Sequence, residues 1–484
     1  MRDVCKRVRE FCNKPYALPV FLVMCGIIGG AALAHFLPWP CILVGPLALY
    51  SLVYTQALRL RYIFLLGWLG GFALIGTAIY WMFNSYPLDW AGVSDPIQGF
   101  IITAITWFVI AATLSFFIGV WALVAHLCIR RTATDVFFIP VSWVLFEWVR
   151  MWGFTFITWG PGSVLVPYFS FGMIGYALAR SSAFLHVAEI GGAYLLSGVA
   201  IFLGFLVWLL VVHQEEILKR RLLYILIALS VVTYGILAVI PFSRTPPLLN
   251  IATMEMDAPA TLQVSAKQND MNIQTIKSKL ARLAHAQPIP DVIIIPEDMR
   301  FLPTLVEKGE DPQKYLQSLF GSHEVLVIDS GRVDTYLGAY ARVSYFSSLH
   351  GEIATRGKYI VIPFGEFIPY LMQAGLRTFG MQDALARDEA NRNYLAGTVP
   401  SAVEYHGATL VALLCSEMLS PSLYHDTAQG TKNPIFINLS SQSDFHHGRN
   451  PFLELYDMMV IQSAWGNAPY FQSSNGVPEV RIAR

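Results

Sequence analysis

One cysteine lies where a buried strand is predicted to end. Cys415 follows the apolar run at residues 409–414 and precedes Ser416 and Glu417. A short apolar run of this kind is typical of a strand in a sheet core, and the end of such a strand is a good place to present a nucleophile. A lone cysteine is equally consistent with a small buried hydrophobic residue, so the position alone leaves both interpretations open.

Two charged residues also lie at the boundaries of predicted strands. Glu297 ends the predicted buried strand at residues 291–296, and Lys358 precedes a predicted strand at residues 359–362. A thiol needs a base to form the reactive thiolate, and a carboxylate whose pKa is raised by burial can be that base. A lysine ammonium can stabilise the negative oxygen of a tetrahedral intermediate. Glu297, Lys358 and Cys415 therefore suit acyl transfer through a thioester, although spacing alone does not single them out.

The second half of the chain alternates strands with helices. Strands are predicted at residues 248–254, 291–296, 324–329, 336–349 (as a pair), 359–362, 409–414 and 434–439, and helices at 271–287 and 452–464. Because most of these strands are continuous apolar runs, we expect a sheet that is covered on its faces.

The composition is that of a membrane protein. Of 484 residues, 55% are hydrophobic and only 14% are charged, and the mean hydropathy is +0.50; soluble domains carry about 25% charge. The net charge is zero, which gives no indication of a nucleic-acid partner. Charge is sparse up to about Phe242, so we expect a membrane domain at residues 1–243 and an extracytoplasmic domain at residues 244–484.

About seven membrane spans are predicted in the first half, because a span needs about 20 apolar residues. Two lie within residues 15–58, with a hinge near Pro38, and the others at residues 62–83, 100–128, 136–149, 186–212 and 222–242. The first apolar stretch is too long for a secretory signal peptide. With seven spans, the basic residues at the N-terminus and at positions 59–61, 130–131 and 219–221 share one side. Basic residues gather in the cytoplasm, so the second half is expected outside.

Cys415 is the only cysteine of the second half, and the other five lie in or beside apolar spans. Their spacing fits neither a zinc site nor a disulfide framework, and no glycine-rich phosphate loop is present. We therefore expect no metal and no cofactor. Thiols outside the cytoplasm tend to be oxidised, so a solitary thiol there is better explained as a nucleophile.

Two further stretches have alternative interpretations. Glu147 lies in the fifth predicted span, where a carboxylate is a functional candidate; an interfacial pair with Arg150 among tryptophans is favoured. Residues 367–381 form either a core helix or a lid that contacts lipid tails. Trp159 lies in a predicted outer loop near the membrane surface.

Several motifs resemble known proteins. They are Ile295-Pro296-Glu297, the stretch Arg356-Gly357-Lys358-Tyr359 to Pro363-Phe364-Gly365-Glu366, and Leu414-Cys415-Ser416-Glu417. These motifs resemble the nitrilase superfamily. Together with the membrane half, and with residues 144–150, 187–194 and 474–477, they are similar to the apolipoprotein N-acyltransferases. The resemblance implies a polytopic helical membrane bundle joined to an α/β domain with an αββα sandwich.

The resemblance also implies roles for particular residues. Glu297 would be the general base, Lys358 would stabilise the oxyanion and Cys415 would be the nucleophile. Further site residues, for substrate binding or support, would be Glu366, Glu417, Trp159 and Ser416.

The implied reaction moves an acyl chain from a phospholipid, usually phosphatidylethanolamine, to the cysteine. The acyl group then passes to the free amine of a diacylglyceryl-cysteine on a lipoprotein. The implied location is the bacterial inner membrane, with the catalytic domain on the periplasmic side. We expect a monomer that binds phospholipid, lipoprotein and membrane, but no nucleic acid.

The chain also departs from that family. Ser416 stands where the family commonly has tyrosine, and residues 441–445 replace a block resembling Asn-Asp-Ala-Trp-Phe. Two alternatives therefore stay open: an amidase or nitrilase-like hydrolase with another extracytoplasmic substrate, and a membrane scaffold or transporter whose outer domain has lost catalysis.

Overall fold

The computed structural model describes residues 17–212, 217–242, 246–259, 265–378, 392–446 and 448–482, with isolated positions between 380 and 389. The basic residues before position 17 and the expected domain boundary at 243–244 lie outside these ranges.

Seven α-helices precede the first strand in the described part of the chain. They are α1 (Ala17–Leu33), α2 (Leu47–Tyr54), α3 (Leu60–Ala78), α4 (Pro96–Cys128), α5 (Asp135–Ile157), α6 (Ser182–Val212) and α7 (Ile217–Val239). Four of the helical stretches are long and apolar enough to cross a membrane, namely Leu60–Ser85, Pro96–Cys128, Asp135–Ile157 and Ser182–Leu210. Helices suit such runs because lipid offers no partner to a free backbone amide or carbonyl. The count of seven spans stays a prediction.

Helix α5 contains a buried carboxylate and a buried guanidinium. Glu147 is 3% exposed and Arg150 is 2% exposed. Glu147 Oε1 accepts a hydrogen bond from the Ile174 amide at 3.0 Å, and Arg150 donates to the carbonyl of Phe171 at 3.1 Å. The interfacial interpretation of this pair is therefore wrong. Both side chains lie inside the bundle because the connection between α5 and α6 supplies their partners.

Two β-sheets follow the bundle. The strands are β1 (Ile251–Thr253), β2 (Glu255–Met256), β3 (Val292–Ile294), β4 (Leu326–Asp334), β5 (Ala339–Ser347), β6 (Gly351–Gly357), β7 (Val403–Tyr405), β8 (Ala408–Leu414), β9 (Pro434–Ser441), β10 (Tyr470–Asn475) and β11 (Val480–Ile482). One sheet has the order β1-β3-β4-β5-β6, and the other has the order β11-β10-β9-β8-β7 with β2 beside β10. The three parallel strands β8, β9 and β10 form the centre of the second sheet.

The sheets pack face to face between two layers of helices. Helices α8 (Ala266–Ala284), α9 (Phe301–Glu307) and α10 (Pro312–Phe320) cover the first sheet, α11 (Tyr370–Thr378) lies in a connection, and α12 (Leu423–Ala428) and α13 (Arg449–Trp465) cover the second sheet. In β8, Leu410, Ala412 and Leu414 face the other sheet. Val411 and Leu413 face the helices. A strand buried on both faces explains the continuous apolar run, and the expected αββα sandwich is confirmed.

The interpretation of residues 367–381 as a core helix is wrong. Helix α11 exposes 48% of Tyr370 and 66% of Leu371. Its buried polar side chain, Gln373, donates to the Ile368 carbonyl at 2.9 Å. The lid interpretation stays a prediction, and positions 379 and 381 lie outside the described residues.

Helix α13 joins the sandwich to the bundle. Asp457 on α13 accepts hydrogen bonds from Arg180 Nε at 2.9 Å and from His35 Nε2 at 2.9 Å. The Arg180 guanidinium also donates to the Ala32 and Leu33 carbonyls at the end of α1. One carboxylate thus connects α13 with two segments of the bundle.

We predict that Asp457→Ala destabilises the protein. The Asp457 side chain is 5% exposed and that of Arg180 is 17% exposed, so the substitution leaves a mostly buried guanidinium without its counter-charge. The free energy of unfolding should decrease by roughly 2–3 kcal/mol, less than for a fully buried pair. The midpoint of thermal unfolding in detergent measures this effect.

The matched control is Asp270→Ala, which removes the carboxylate of the solvent-exposed Lys308–Asp270 pair. Exposed pairs contribute about 0–1 kcal/mol, so its midpoint should stay close to that of the parent. Equal midpoints for the two variants would contradict the assigned role of Asp457.

Candidate active site

Cys415 is the first residue after β8, as the apolar run predicts. Its φ angle is +39°, in the left-handed region that residues other than glycine seldom occupy. Such strained positions concentrate at functional sites. The Cys415 Sγ lies 3.9 Å from the carbonyl oxygen of Ser441 at the end of β9. The thiol therefore points to the edge where the parallel strands of the second sheet end.

Glu297 reaches the same edge from the first sheet. It follows β3 after Ile295 and Pro296. Its Oε2 accepts a hydrogen bond from the Ser441 amide at 3.2 Å. One carboxylate oxygen is thus used to fix the end of β9, and the other is available to neighbours in the site.

Lys358 occupies the space between two carboxylates. Its Nζ lies 3.3 Å from Glu297 Oε1 and 2.7 Å from Glu366 Oε1. The side chain is 1% exposed, so both contacts replace water around the ammonium. The prediction that Lys358 precedes a strand is wrong, because it follows β6.

The stretch from Tyr359 to Ile362 is an irregular connection, so the strand predicted there is wrong. Carboxylates bind its backbone amides in place of a neighbouring strand. The Tyr359 amide donates to Glu417 Oε1 at 2.6 Å, and the Ile362 amide donates to Glu366 Oε2 at 2.7 Å. Glu366 thereby contacts Lys358 and also fixes the connection that follows it.

Glu417 holds the segments on both sides of the site. It is fully buried and accepts from Arg356 Nη1 at 3.0 Å and Nη2 at 2.5 Å. Its Oε2 also accepts from the Leu414 amide at 2.6 Å. Glu417 thus fixes Leu414, which precedes Cys415. It also fixes Arg356 and Tyr359 on either side of Lys358, so we describe it as a positioning residue.

The charges of the site perturb its pKa values. Burial lowers the pKa of Lys358, but Glu297 and Glu366 together outweigh burial, so the net pKa is well above its ordinary value and the ammonium is stable. Burial raises the pKa of Glu297, and Lys358 opposes that effect. Burial and then the charge of Glu297 raise the pKa of the Cys415 thiol well above its ordinary value, against the effect of Lys358. The resting cysteine is therefore a neutral thiol beside a potential base.

A cavity of about 370 Å³ contains the thiol. Its polar side is formed by Glu297, Lys358, Glu366, Cys415 and residues 440–444. Its apolar side is formed by side chains of the bundle and of α13, among them Trp81, Trp90, Phe169, Phe171 and Leu455. The cavity therefore lies between the sandwich and the bundle. One wall is charged and the other is apolar, so the cavity can accommodate both a polar group and a hydrocarbon chain.

Of the other two candidate residues, Ser416 and Trp159, only Ser416 lines the cavity. Its hydroxyl donates to the Ile360 carbonyl at 3.0 Å. The Trp159 ring packs edge-on against Tyr370, with 5.4 Å between the ring centroids. Trp81 also lines the cavity but is not among the predicted site residues, because nothing in its apolar span distinguishes it from Trp68.

The structure also places Gln442 and Asp444 in the cavity wall. Burial raises the pKa of Asp444 to about 7, and the charge of Glu297 adds to that effect. Both residues belong to the block at 441–445 that departs from the related family, and this departure was the available sequence signal.

Comparison with known proteins agrees with the motifs. Residues 25–206 match the family model described as the apolipoprotein N-acyltransferase N-terminal domain. The apolipoprotein N-acyltransferase of Rhizobium rhizogenes is 23% identical over 433 residues, which cover 86% of this chain and 75% of the relative. That of Caulobacter vibrioides is 26% identical over 483 residues, covering 94% and 83%. The resemblance to this family is therefore confirmed over most of the chain, at low identity.

Solved structures of the nitrilase superfamily also match. An amidase from Nesterenkonia sp. is 11% identical with a TM-score of 0.31, over 49% of this chain and 79% of that protein. A Saccharomyces cerevisiae member of branch 10 of the superfamily is 11% identical with a TM-score of 0.32, over 48% and 77%.

We predict that alkylation of Cys415 by iodoacetamide is slow at neutral pH and keeps accelerating above the ordinary pKa of a thiol, because only the thiolate reacts and the pKa of Cys415 is raised. In Glu297→Gln the midpoint of this pH profile should shift downward, because the negative charge that opposes the thiolate is removed while Lys358 remains. Mass spectrometry of the Cys415 peptide measures the adduct. A wild-type rate that is already constant below neutral pH would contradict this account.

Proposed function

We propose that the protein is an N-acyltransferase. It takes an acyl chain from a phospholipid onto Cys415 and passes it to the N-terminal amine of a lipoprotein that carries a diacylglyceryl-cysteine. The observation that carries the proposal is the cavity itself, in which a thiol, a carboxylate and an ammonium lie opposite a wall of aromatic and aliphatic side chains.

In the first half-reaction Glu297 accepts the proton of the Cys415 thiol. The sulfur then attacks the ester carbonyl of the phospholipid, and Lys358 stabilises the negative oxygen that forms. The bond between the carbonyl carbon and the alcohol oxygen breaks. The proton held by Glu297 goes to that oxygen, so a lysophospholipid leaves and a thioester remains on Cys415.

In the second half-reaction the acceptor amine attacks the thioester carbonyl. Glu297 accepts a proton from the amine, the carbon–sulfur bond breaks, and the same proton returns to the sulfur. The products are an amide on the acceptor and the neutral Cys415 thiol. In this scheme Glu366 sustains the Lys358 charge, and Glu417 fixes the backbone around both residues.

The apolar wall supports a lipid rather than a small amide as substrate. The bundle and its connections supply four aromatic side chains of this wall, namely Trp81, Trp90, Phe169 and Phe171. An acyl chain that approaches the thiol can therefore contact apolar side chains rather than water. The relatives named apolipoprotein N-acyltransferases support transfer to a lipoprotein amine. Phosphatidylethanolamine is the proposed donor.

We also propose that residues 1–243 span the bacterial inner membrane and that residues 244–484 form a periplasmic catalytic domain of a monomeric enzyme. Helix directions support this orientation. Arg59 precedes α3, and Arg131, which donates to the Tyr54 carbonyl at 3.1 Å, follows α4. The opposite ends of these helices adjoin Pro87, whose carbonyl contacts His446 of the sandwich at 3.0 Å. The basic residues thus lie away from the sandwich, as expected for a cytoplasmic side.

We predict that incubation with phosphatidylethanolamine of defined acyl chains adds the mass of one acyl group to the Cys415 peptide, because the thiol attacks the ester. The experiment uses the full chain in phospholipid nanodiscs, with mass spectrometry at neutral pH. Cys415→Ala should lose the adduct entirely. Lys358→Met should decrease its rate of formation by about a hundredfold or more, the scale for loss of one oxyanion-stabilising group.

Cys128→Ala is the matched control, since Cys128 is an exposed thiol at the end of α4. It should retain the adduct on Cys415. Absence of an acyl group on Cys415 with every phospholipid tested, or an adduct that survives in Lys358→Met at the wild-type rate, would contradict the proposed chemistry.

A further inference from the structure

The cavity wall after β9 contains an amide side chain without a partner. Gln442 is 2% exposed and lines the cavity. Neither its Nε2 nor its Oε1 has a hydrogen-bond partner among the described residues, while its backbone amide donates to the Asn475 carbonyl at 2.9 Å. Leaving a buried polar group unpaired costs roughly 1–3 kcal/mol. A ligand that offers both a donor and an acceptor would therefore satisfy this amide once its side chain turns toward the cavity.

A carboxylate lies two residues further along the same wall. Asp444 lines the cavity, and no lysine or arginine in the described part of the chain forms an ion pair with it. His446 is near enough to influence Asp444, but its Nε2 is occupied by the Pro87 carbonyl. Unlike Glu297 and Glu366, which share the Lys358 ammonium, Asp444 has only the exposed imidazole of His446 as a nearby counter-charge among these residues.

The balance of charge in the cavity favours a cationic ligand. Three carboxylates, those of Glu297, Glu366 and Asp444, line it together with the single ammonium of Lys358. Opposite charge at close range stabilises both partners strongly in a poorly hydrated site. An incoming ammonium would supply Asp444 with a full counter-charge inside the cavity.

We propose that Asp444 and Gln442 form the subsite that binds the primary ammonium and the backbone of the second residue of the acyl acceptor. The ammonium pairs with the Asp444 carboxylate, which accepts one of its protons before the neutral amine attacks the thioester. Gln442 Nε2 donates to the carbonyl of the second residue, and Gln442 Oε1 accepts from the N–H of the same residue, because these two groups of an extended residue point to the same side. This proposal rests on the proposed function and identifies which part of the cavity recognises the second substrate.

A phosphatidylethanolamine headgroup also carries a primary ammonium, so the same chemistry has a second source. The two sources differ beside the ammonium. A phosphate offers only acceptors, so it would satisfy Gln442 Nε2 and leave Gln442 Oε1 unpaired. The backbone of an extended residue offers one donor and one acceptor on the same side, which match both free atoms of Gln442. The acceptor is therefore the better fit.

The first test measures binding without chemistry. The full chain with Cys415→Ala in nanodiscs is titrated with a synthetic diacylglyceryl-cysteinyl peptide whose N-terminus is either free or acetylated. We expect the free amine to bind about tenfold more tightly, equivalent to one good charged contact. Asp444→Asn should remove this preference, and Gln442→Leu should weaken both peptides. The matched control Asp270→Asn, on the outer helix α8, should change neither.

Equal binding of the free and acetylated peptides to the parent, or an unchanged preference in Asp444→Asn, would overturn the subsite. The thermal midpoint of each variant is measured beside the titration, so that a misfolded variant is replaced by Asp444→Ser. Because binding does not require the thioester, this result is independent of whether Cys415 is acylated.

The second test separates the two sources of ammonium. Wild-type and Asp444→Asn proteins are acylated with either phosphatidylethanolamine or phosphatidylglycerol, and the resulting thioester is then mixed with the free peptide. In Asp444→Asn we expect the ratio of the acylation rates from the two lipids to stay that of the wild type, and aminolysis to be about tenfold slower. Slower acylation from phosphatidylethanolamine alone would assign the subsite to the donor headgroup and overturn the proposal. A wild-type protein without any thioester would refute the proposed function, while the binding test would still decide the subsite.

Discussion

The buried ammonium of Lys358 is the constraint on which the site depends. Its contacts with Glu297 and Glu366 place a positive charge between two carboxyl groups in a space from which water is largely excluded. Those carboxylates also bind the backbone amides of Ser441 and Ile362. The same charges that would serve catalysis therefore connect the ends of β3, β6 and β9, so removal of the ammonium would disturb both the chemistry and the geometry.

A second buried pair acts on the backbone around this centre. Arg356 and Glu417 form a bidentate contact that fixes the chain beside both Lys358 and Cys415, and neither charged group lines the cavity. Cys415 is thus held in its left-handed conformation from one side by Glu417 and from the other by the end of β9. Precise placement of this kind matters because small displacements of reacting groups slow catalysis strongly. The bundle completes the cavity by supplying the aromatic wall.

Residue patterns predict much of this arrangement. The predictions that are wrong have identifiable physical causes. Apolar runs located Glu297 and Cys415 at strand ends, because a strand buried on both faces has a continuous apolar sequence. The same logic failed at residues 359–362, where carboxylates distant in sequence bind the amides. Glu147 was misplaced because its partner is the Ile174 amide, in a connection without a pattern. Gln442 and Asp444 lie in an ordinary polar segment, where the departure of the block at 441–445 is the sequence signal and only the fold places both residues in the cavity wall.

The most direct measurement of the central claim is the stoichiometry of lysophospholipid release. When the full chain is mixed with phosphatidylethanolamine in the absence of any acceptor, the account predicts a burst of about one lysophospholipid per protein molecule, followed by a much slower phase, because a thioester that awaits the acceptor blocks further turnover. Adding the diacylglyceryl-cysteinyl peptide should restore continuous release. Continuous release without the peptide, or no release until the peptide is present, would contradict a covalent intermediate on Cys415.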